Sequence, residues 1–543
     1  MNITTAWRRV LALGAMTAIT VSAIGPSAAL GQSPGTPTPG GSIVAAIEGE
    51  PASMDPAFDY DFVSGLATSS ITEPLLVFCE QDTQLCPNLA TSWKVSPDGL
   101  TYTLKIRQGV QFHDGTTMTV DDVVYSLDRI RDPALGSYVG WMLANVADVT
   151  APDAETVVIT LSQPDALLEY ALASTAAHVV NKAFVEANGD KYGTPAVGSI
   201  GTGPFTFVEW VSGDHQTLGR FDGYWNAANG GPYLDTVTIK ILPEPTTRVA
   251  GLDTGEIDYL VNNVPSDQYA TVAAMDNVGL SFSPSYYGEW ITFDTAQPPF
   301  DNVKIRQALN YALDKQGLRQ LYYGPDTPDT KATLVYPTLW TFEEPKWQAA
   351  WETLPAYDQD LVKAKQLLDE SGVADQLNGK TIAYYESTPS IKGIGESFID
   401  AMSQLGIQIE AQKVTYQEAV SLQFGPHDDY DMIVGSWGSD FPDPSGNLRP
   451  NFASENIVAG GANSSAYSNP AVDALLSEQN TLVDKAARTD LLIQAQALIA
   501  EDSPVISVTN PGWPLAVNKR VQGAGIGALW YWGSLFKDLW VTQ

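Results

Sequence analysis

The most informative side chains lie in Ser436-Trp-Gly-Ser-Asp-Phe-Pro-Asp-Pro444. Trp437 and Phe441 offer aromatic faces there, and Asp440 and Asp443 offer carboxylates. Two prolines restrict the backbone, so the groups are presented rigidly. Ser436, Trp437 and Gly438 leave a strand expected over 431–435, and in open α/β sheets ligands bind in the crevice beyond the carboxyl ends of the strands. The plainer reading is a surface turn whose prolines stop the strand, and spacing alone does not separate the two. Two carboxylates held about 5–10 Å apart can also cleave a glycosidic bond. A secreted glycoside hydrolase using Asp440 and Asp443 is therefore the enzymatic alternative.

Other motifs carry less. Cys79 and Cys86 are the only cysteines, and in an oxidising compartment an even pair reads as one disulfide. It would staple the hairpin that follows residues 75–78, and closing so small a loop contributes roughly 2.5 kcal/mol. A zinc or redox site is the rival, but there is no C-x-x-C and the four histidines (113, 178, 215 and 427) are scattered. No metal is expected. Gly379-Lys-Thr381 lacks the upstream glycine of a phosphate loop, since position 374 is Ala374. Gly198-Ser-Ile-Gly-Thr-Gly203 precedes a strand instead of opening a helix, which excludes a dinucleotide fingerprint. There is no Gly-x-Ser-x-Gly and no His-Glu-x-x-His. His113-Asp114 before Gly115 reads as an Asx-type turn.

The elements that must hold these residues fall into two textures. From 42 to 242 the chain is strand-rich, with period-two alternation over 42–47, 100–106, 156–161, 205–211 and 235–241. One helix, capped by Thr119, interrupts them over 120–130 with two carboxylates in its first turn. After about residue 300 helices dominate. Asp301 or Asn302 starts one whose apolar face carries Ile305, Ala308, Leu309, Ala312 and Leu313, and a second covers 360–370 and stops at Gly372. Strand 381–385, helix 394–405, strand 407–411, helix 416–424 and strand 431–435 then alternate, and a βαβαβ order implies a parallel sheet with right-handed crossovers. Asn469 and Asp484 cap two final helices. The fold class is α/β.

The chain has 543 residues, 44% hydrophobic and 17% charged, enough to bury several cores. Its net charge of −34 repels a phosphate backbone and an anionic lipid surface, so no nucleic-acid partner is expected. Arg8 and Arg9 precede an apolar run over 10–24 and small residues over 27–31. This is the pattern of a secretory signal, 1–31, and the run is shorter than the roughly 20 residues of a membrane span. The Arg-Arg pair also fits twin-arginine export. Cleavage between Ala29 and Gln32 would take the net charge from −34 to −36 by loss of Arg8 and Arg9. No cysteine stands at the cleavage site for a lipid anchor. Residues 32–42, rich in Pro, Gly and Thr, read as a disordered tether. The mature chain is expected to be exported and soluble, in a periplasm or at a cell surface.

A set of short stretches, in order, resembles the extracytoplasmic solute-binding proteins of family 5, the peptide/nickel class that serves ABC importers. They are Leu89-Ala-Thr-Ser-Trp93, Ser96-Pro-Asp-Gly-Leu-Thr-Tyr-Thr-Leu104, Gly109-Val-Gln-Phe-His-Asp-Gly115 and Asp121-Asp-Val-Val-Tyr-Ser126. Gly201-Thr-Gly-Pro-Phe205, Phe221-Asp-Gly-Tyr-Trp225, Thr254-Gly-Glu-Ile-Asp258, the segment 299–309 and Tyr467-Ser-Asn-Pro-Ala-Val-Asp473 continue the set.

The resemblance implies a two-lobed periplasmic-binding-protein-like fold of type II with a hinge and a ligand engulfed between the lobes. Lobe I would comprise 43–74, 201–290 and 510–543, with an extra subdomain over 75–200; lobe II would comprise 291–509. It implies capture of a peptide-like solute, delivery to permease and ATPase subunits on separate chains, a monomer, no cofactor and no enzymatic activity. Asp440 would accept the ligand's α-ammonium group, a charge-assisted bond that contributes about 1.5–3 kcal/mol. The backbone of Ser436, Trp437 and Gly438 would pair with the ligand as an added strand. Glu50, Ser53 and Met54, in Glu50-Pro-Ala-Ser-Met-Asp55, would face them from the first lobe. One departure stands out. Dipeptide binders of the family carry an arginine near Thr388-Pro-Ser-Ile-Lys392, and this chain has only Lys392, a point charge without the bidentate fork. A dipeptide is thus disfavoured, and longer peptides or another solute remain. The 14 tryptophans also keep an oligosaccharide open, with Trp93, Trp210 and Trp225 expected in cores instead.

Overall fold

The computed structural model describes residues 36–542 other than 80–82, 263, 325–326, 426–429 and 459–460. The signal segment expected over 1–31 and His427 lie outside these residues. The alternating apolar strands of the first half assemble into a seven-stranded sheet. Its order is Val278–Ser283, Trp513–Asn518, Tyr259–Val261, Ser42–Ile47, Thr236–Ile241, His215–Arg220 and Phe205–Val211. Ser42–Ile47 pairs in parallel with Thr236–Ile241, burying Ile43, Ala45 and Ile47 on the face that also buries Val237 and Ile239. The expected tether ends earlier than 42. The Gly40 amide donates to the Tyr233 carbonyl at 2.7 Å and the Gly41 amide to Asp235 at 3.0 Å, so both are fixed to this sheet.

A second sheet is five-stranded, in the order Glu410–Val414, Thr381–Tyr385, Met432–Gly438, Tyr287–Phe293 and Val505–Thr509. The βαβαβ segment supplies the first three strands, which are parallel as expected. Tyr287–Phe293 runs antiparallel to both its neighbours, so the sheet is mixed. It also carries the expected lobe boundary at 290/291 inside a strand, and the chain crosses before Tyr287 instead.

Three boundaries move for local reasons. The helix expected over 394–405 is Pro389–Gln404, because Pro389 at its first position needs no amide partner. The strand expected over 407–411 is Glu410–Val414, since Thr381 pairs with Glu410 while Ile407 and Ile409 pack in the preceding loop. The strand expected to end at 435 continues through Ser436, Trp437 and Gly438, held by pairing of Tyr287 with Gly438. The helix starts obey side-chain capping. Asp122 accepts the Thr119 amide at 2.9 Å, Asn302 the Lys304 amide at 3.0 Å and Asp484 the Ala487 amide at 2.8 Å.

A four-stranded antiparallel sheet, Ala90–Val95, Thr101–Ile106, Thr156–Leu161 and Val146–Asp153, packs on helix Val120–Arg131. Its core is continuous with apolar residues of the second half, including Trp347, Leu448 and Leu492, so this subdomain touches both halves of the molecule. Cys79 and Cys86 are bonded across the hairpin of Leu76–Phe78 and Leu85–Pro87, with Cα atoms 5.3 Å apart. Glycines 201 and 203 approach the end of helix Phe62–Ile71 so closely that a Cβ on either would collide with the carbonyl oxygen of Ile71 or Ser70. Close packing explains that glycine motif.

The chain passes between the seven- and five-stranded sheets at 284–286 and at 510–512. The two crossings are tied together. Ser285 Oγ donates to the Pro511 carbonyl, and Asn510 Nδ2 donates to the Ser285 carbonyl at 3.1 Å. Because strands continue on either side of each crossing, the connection is a narrow two-stranded ribbon. That is the geometry of a hinge.

Candidate functional site

A cavity of 420 Å³ lies where the two sheets meet. From the first-sheet side come Asp59, Tyr60, Asp61 and Phe62, at the start of helix Phe62–Ile71, together with Trp513, Tyr531 and Trp532. From the other side come Tyr287 and Tyr385, at the ends of two strands, and Tyr416, on a short helix. Ser436, Trp437, Gly438 and Asp440 complete it. The wall is aromatic because these strand ends carry Tyr and Trp where the sheet interiors carry Ile and Val. A larger volume of 690 Å³, along the outer face of helix Leu361–Ser371, is an open trough lined by aliphatic, amide and charged side chains and encloses nothing.

The expected Asp440 faces this cavity. Tyr60 donates its phenol proton to Asp440 Oδ2 at 2.8 Å. Burial pushes the Asp440 carboxyl up to about 7, against the opposing pull of that Tyr60 hydrogen bond. The backbone around it is fastened across the lobes. Trp532 Nε1 donates to the Asp440 carbonyl at 2.7 Å and the Tyr531 hydroxyl to the Ser439 carbonyl at 3.1 Å. Trp437 packs against Phe424 at 5.7 Å between ring centroids, and its buried Nε1 has no partner. The flank of 436–438 away from Tyr287–Phe293 carries no strand, since Thr381–Tyr385 pairs with this element only at Met432 and Ile433. On that flank Gln423 Nε2 donates to the Ser436 carbonyl at 3.1 Å.

Phe441 is not part of the wall. It is 2% exposed and stacks on Tyr170 at 6.1 Å, because strand 432–438 ends there and the chain turns Phe441 inward to the subdomain core. Asp443 is likewise withdrawn. Both its oxygens accept from Arg488, at 2.7 and 3.0 Å, with the side chains 0% and 2% exposed. The arginine holds the Asp443 carboxyl low against the cost of burial. A carboxylate locked in such a pair cannot serve a sugar, which removes the Asp440/Asp443 hydrolase arrangement.

The first-lobe counterpart also shifts. Glu50 is used by Trp210 Nε1 at 2.9 Å and the Gly213 amide at 2.7 Å. Met54 is wholly buried and its amide donates to the Gly193 carbonyl at 2.8 Å. Ser53 Oγ also donates to that carbonyl, at 3.2 Å. Asp55 pairs with Arg129 at 2.9 Å. Residues 50–55 therefore fasten the first sheet to the subdomain, and residues 59–62, one short turn later, face the gap. Lys392 is partly exposed, reaches toward Glu396 at 3.9 Å and is not among the residues that line the cavity. Of the core tryptophans, Trp210 is buried, whereas Trp93 and Trp225 are half-buried and donate to Glu169 and Glu73 at 2.9 and 2.8 Å. His113 ties the subdomain to the glycine turn, accepting from the Gly201 amide at 3.3 Å, and Asp114 closes an Asx turn by accepting the Thr116 amide at 2.9 Å.

The residues that sequence reasoning missed had a local signal. Asp59-Tyr-Asp-Phe62 alternates carboxylates and rings immediately before a helix, and Trp530-Tyr-Trp532 is an aromatic run near the C-terminus. Neither carries periodicity, so pattern reading passes over both.

Comparison with known proteins places this geometry. Residues 84–458 match the sequence profile of the bacterial extracellular solute-binding proteins, family 5 Middle. The glutathione-binding protein GsiB of Escherichia coli O1:K1 is 31% identical over 494 residues, covering 90% of this chain and 91% of that protein. The heme-binding protein A of Haemophilus influenzae is 30% identical, covering 87% and 88%. Among solved structures, the periplasmic binding protein DppA of Helicobacter pylori with the peptide STSA aligns with a TM-score of 0.79 at 25% identity, covering 93% of this chain and 99% of that one. The ABC transporter substrate-binding protein CtaP of Listeria monocytogenes aligns with a TM-score of 0.80 at 26% identity, covering 93% and 100%. Those proteins are named for binding, and their two-lobed fold is the one described above. With the profile spanning most of its length and a shared α/β architecture closing on one aromatic cavity, the chain belongs to the family 5 bacterial extracellular solute-binding proteins.

Proposed function

We propose that this protein is the exported solute receptor of an ABC importer, which encloses a small peptide-like solute between its lobes and hands it unchanged to permease and ATPase chains. The observation that carries this reading is the cavity itself, walled from both lobes and bridged by Tyr60 and Asp440. Asp440 receives the solute's α-ammonium group, and the flank of 436–438 that carries no strand pairs with its main chain beyond the Gln423 contact to Ser436. Lobe I is the seven-stranded sheet, lobe II the five-stranded one, and 284–286 with 510–512 the hinge. Ligand contacts to both lobes favour the closed form by the difference in affinity between the two states. Relatives named for glutathione, heme and peptides support a solute of this size class. The working form is a monomer outside the cytoplasm after loss of residues 1–31.

Native mass spectrometry of freshly purified protein tests the reading. A co-purified small molecule, bound one per chain and recovered intact after incubation, is the expected result. Conversion of that molecule to product, abolished by Asp440→Asn, would overturn it.

A further inference from the structure

The cavity has an unusual charge balance. Asp59, Asp61 and Asp440 all contribute to it, and among the described residues that line it there is no Lys, Arg or His. Asp61 is engaged as a helix cap, accepting the amides of Val63 and Ser64 at 2.9 and 2.8 Å. Asp59 is different. It is 2% exposed, lines the cavity, and its Oδ2 has no hydrogen-bond partner. A buried carboxylate oxygen without a donor is costly, and such atoms in native structures call for a missing partner. Asp59 precedes Tyr60, whose hydroxyl meets Asp440, so the two carboxylates flank one side chain.

Resting on the reading of this cavity as the solute site, we propose that the solute is a compact organic cation with no free carboxylate, its positive groups received by Asp440 from one lobe and by Asp59 from the other. Three observations converge on it. First, a guest carboxylate would be stripped of water beside two buried carboxylates with no cation to meet it, whereas an ammonium or guanidinium finds both. Second, the walls are lined by Trp437, Trp513, Trp532 and several tyrosines, and the faces of such rings attract cations while repelling anions. Third, a buried donor in the wall without a partner, Trp437 Nε1, suits a neutral carbonyl such as an amide oxygen. Burial raises the pKa of both Asp59 and Asp440, and no positive side chain among the described lining residues offsets it. The volume of 420 Å³ is at the small end of ligand sites, which fits a dipeptide amide or an amine of similar bulk.

Titration calorimetry with three probes decides it: leucyl-phenylalaninamide, leucyl-phenylalanine and reduced glutathione. The amide is expected to bind at least tenfold more tightly than the free acid, and glutathione, with two carboxylates, not at all below millimolar concentration. Asp59→Asn is expected to weaken amide binding at least fivefold with little effect on the melting temperature. If that variant fails to fold, the amide-to-acid ratio of the unaltered protein still decides. Equal or tighter binding of the free acid, or of glutathione, overturns the cationic reading while leaving solute capture intact. Absence of binding by all three probes, with no co-purified solute, overturns both.

Discussion

The phenol of Tyr60 donates to Oδ2 of Asp440 at 2.8 Å, joining residues 380 positions apart in sequence and on opposite lobes. The bond does two things at once. It bridges the cleft, and it stabilises the charged form of the carboxylate that the cavity otherwise destabilises by burial. Tyr60→Phe separates these roles from shape, since only the hydroxyl is lost. A hydrogen bond to a charged group contributes about 1.5–3 kcal/mol. The variant should bind an amide ligand roughly tenfold more weakly, and its affinity should reach its plateau at higher pH than in the parent, because the Asp440 carboxyl loses the contact that lowers it. Calorimetric titration across pH reads both. An unmoved profile would mean that Tyr60 serves only to fill space.

Asp440→Ala should weaken peptide binding at least tenfold, in line with about 1.5 kcal/mol or more for one charge-assisted bond. The melting temperature of the empty protein should hardly fall, because the lost carboxylate was itself paying a burial cost. Isothermal titration and differential scanning calorimetry on the same preparation test the pair of claims. Unaltered affinity would take Asp440 out of the site.

The two buried carboxyls at about 7 set a pH dependence whose sign is definite. Asp440 is raised from 3.8 and Glu289 from 4.5, both chiefly by burial. Around Asp440 stand Tyr60 and Tyr531; around Glu289 stand Ser390 and Tyr323, each donating at 2.8 Å, with Tyr287 and Tyr385 near. Between pH 4.5 and 7 the folded state holds protons that the unfolded state has released. Stability contributed by these groups is therefore complete below pH 4 and is lost as pH rises through 7, by up to about 1.4 kcal/mol per pH unit for each. Melting temperatures from pH 5 to 8 should fall more steeply in the parent than in Asp440→Asn, and the difference between the two slopes cancels the effect of overall charge. Cation binding should follow the opposite trend, strengthening as pH rises through about 7, because Asp440 receives a cation in its ionised form.

Arg488 and Asp443 show what a structural carboxylate does three positions away. Their bidentate pair is almost fully buried. Arg488→Ala leaves a buried charge alone and should cost about 3–5 kcal/mol of stability. Thermal or urea unfolding checks it. Ligand affinity measured at low temperature, where the variant stays folded, should be close to the parent's. A variant as stable as the parent would show that the pair is dispensable.

Much of this protein was legible in its residues alone. Period-two and period-3.6 patterns are local, and so are caps such as Thr119, Asn302 and Asp484, because a strand face or a helix turn is decided by neighbours a few positions apart. Asp440 and Trp437 also announced themselves, since they stand at the end of a strand in an α/β segment. The tertiary structure decided the rest. Asp440 faces the cavity and Asp443 faces Arg488 only because the chain turns between them onto helix Lys485–Asp502. Residues 59–62, and not 50–55, reach the gap because Glu50 and Asp55 are drawn to Trp210 and Arg129. The absence of a cation among the described lining residues is a property of a wall gathered from seven separate stretches of chain. Charge balance at a site is a sum over space, and no window along a sequence contains that sum.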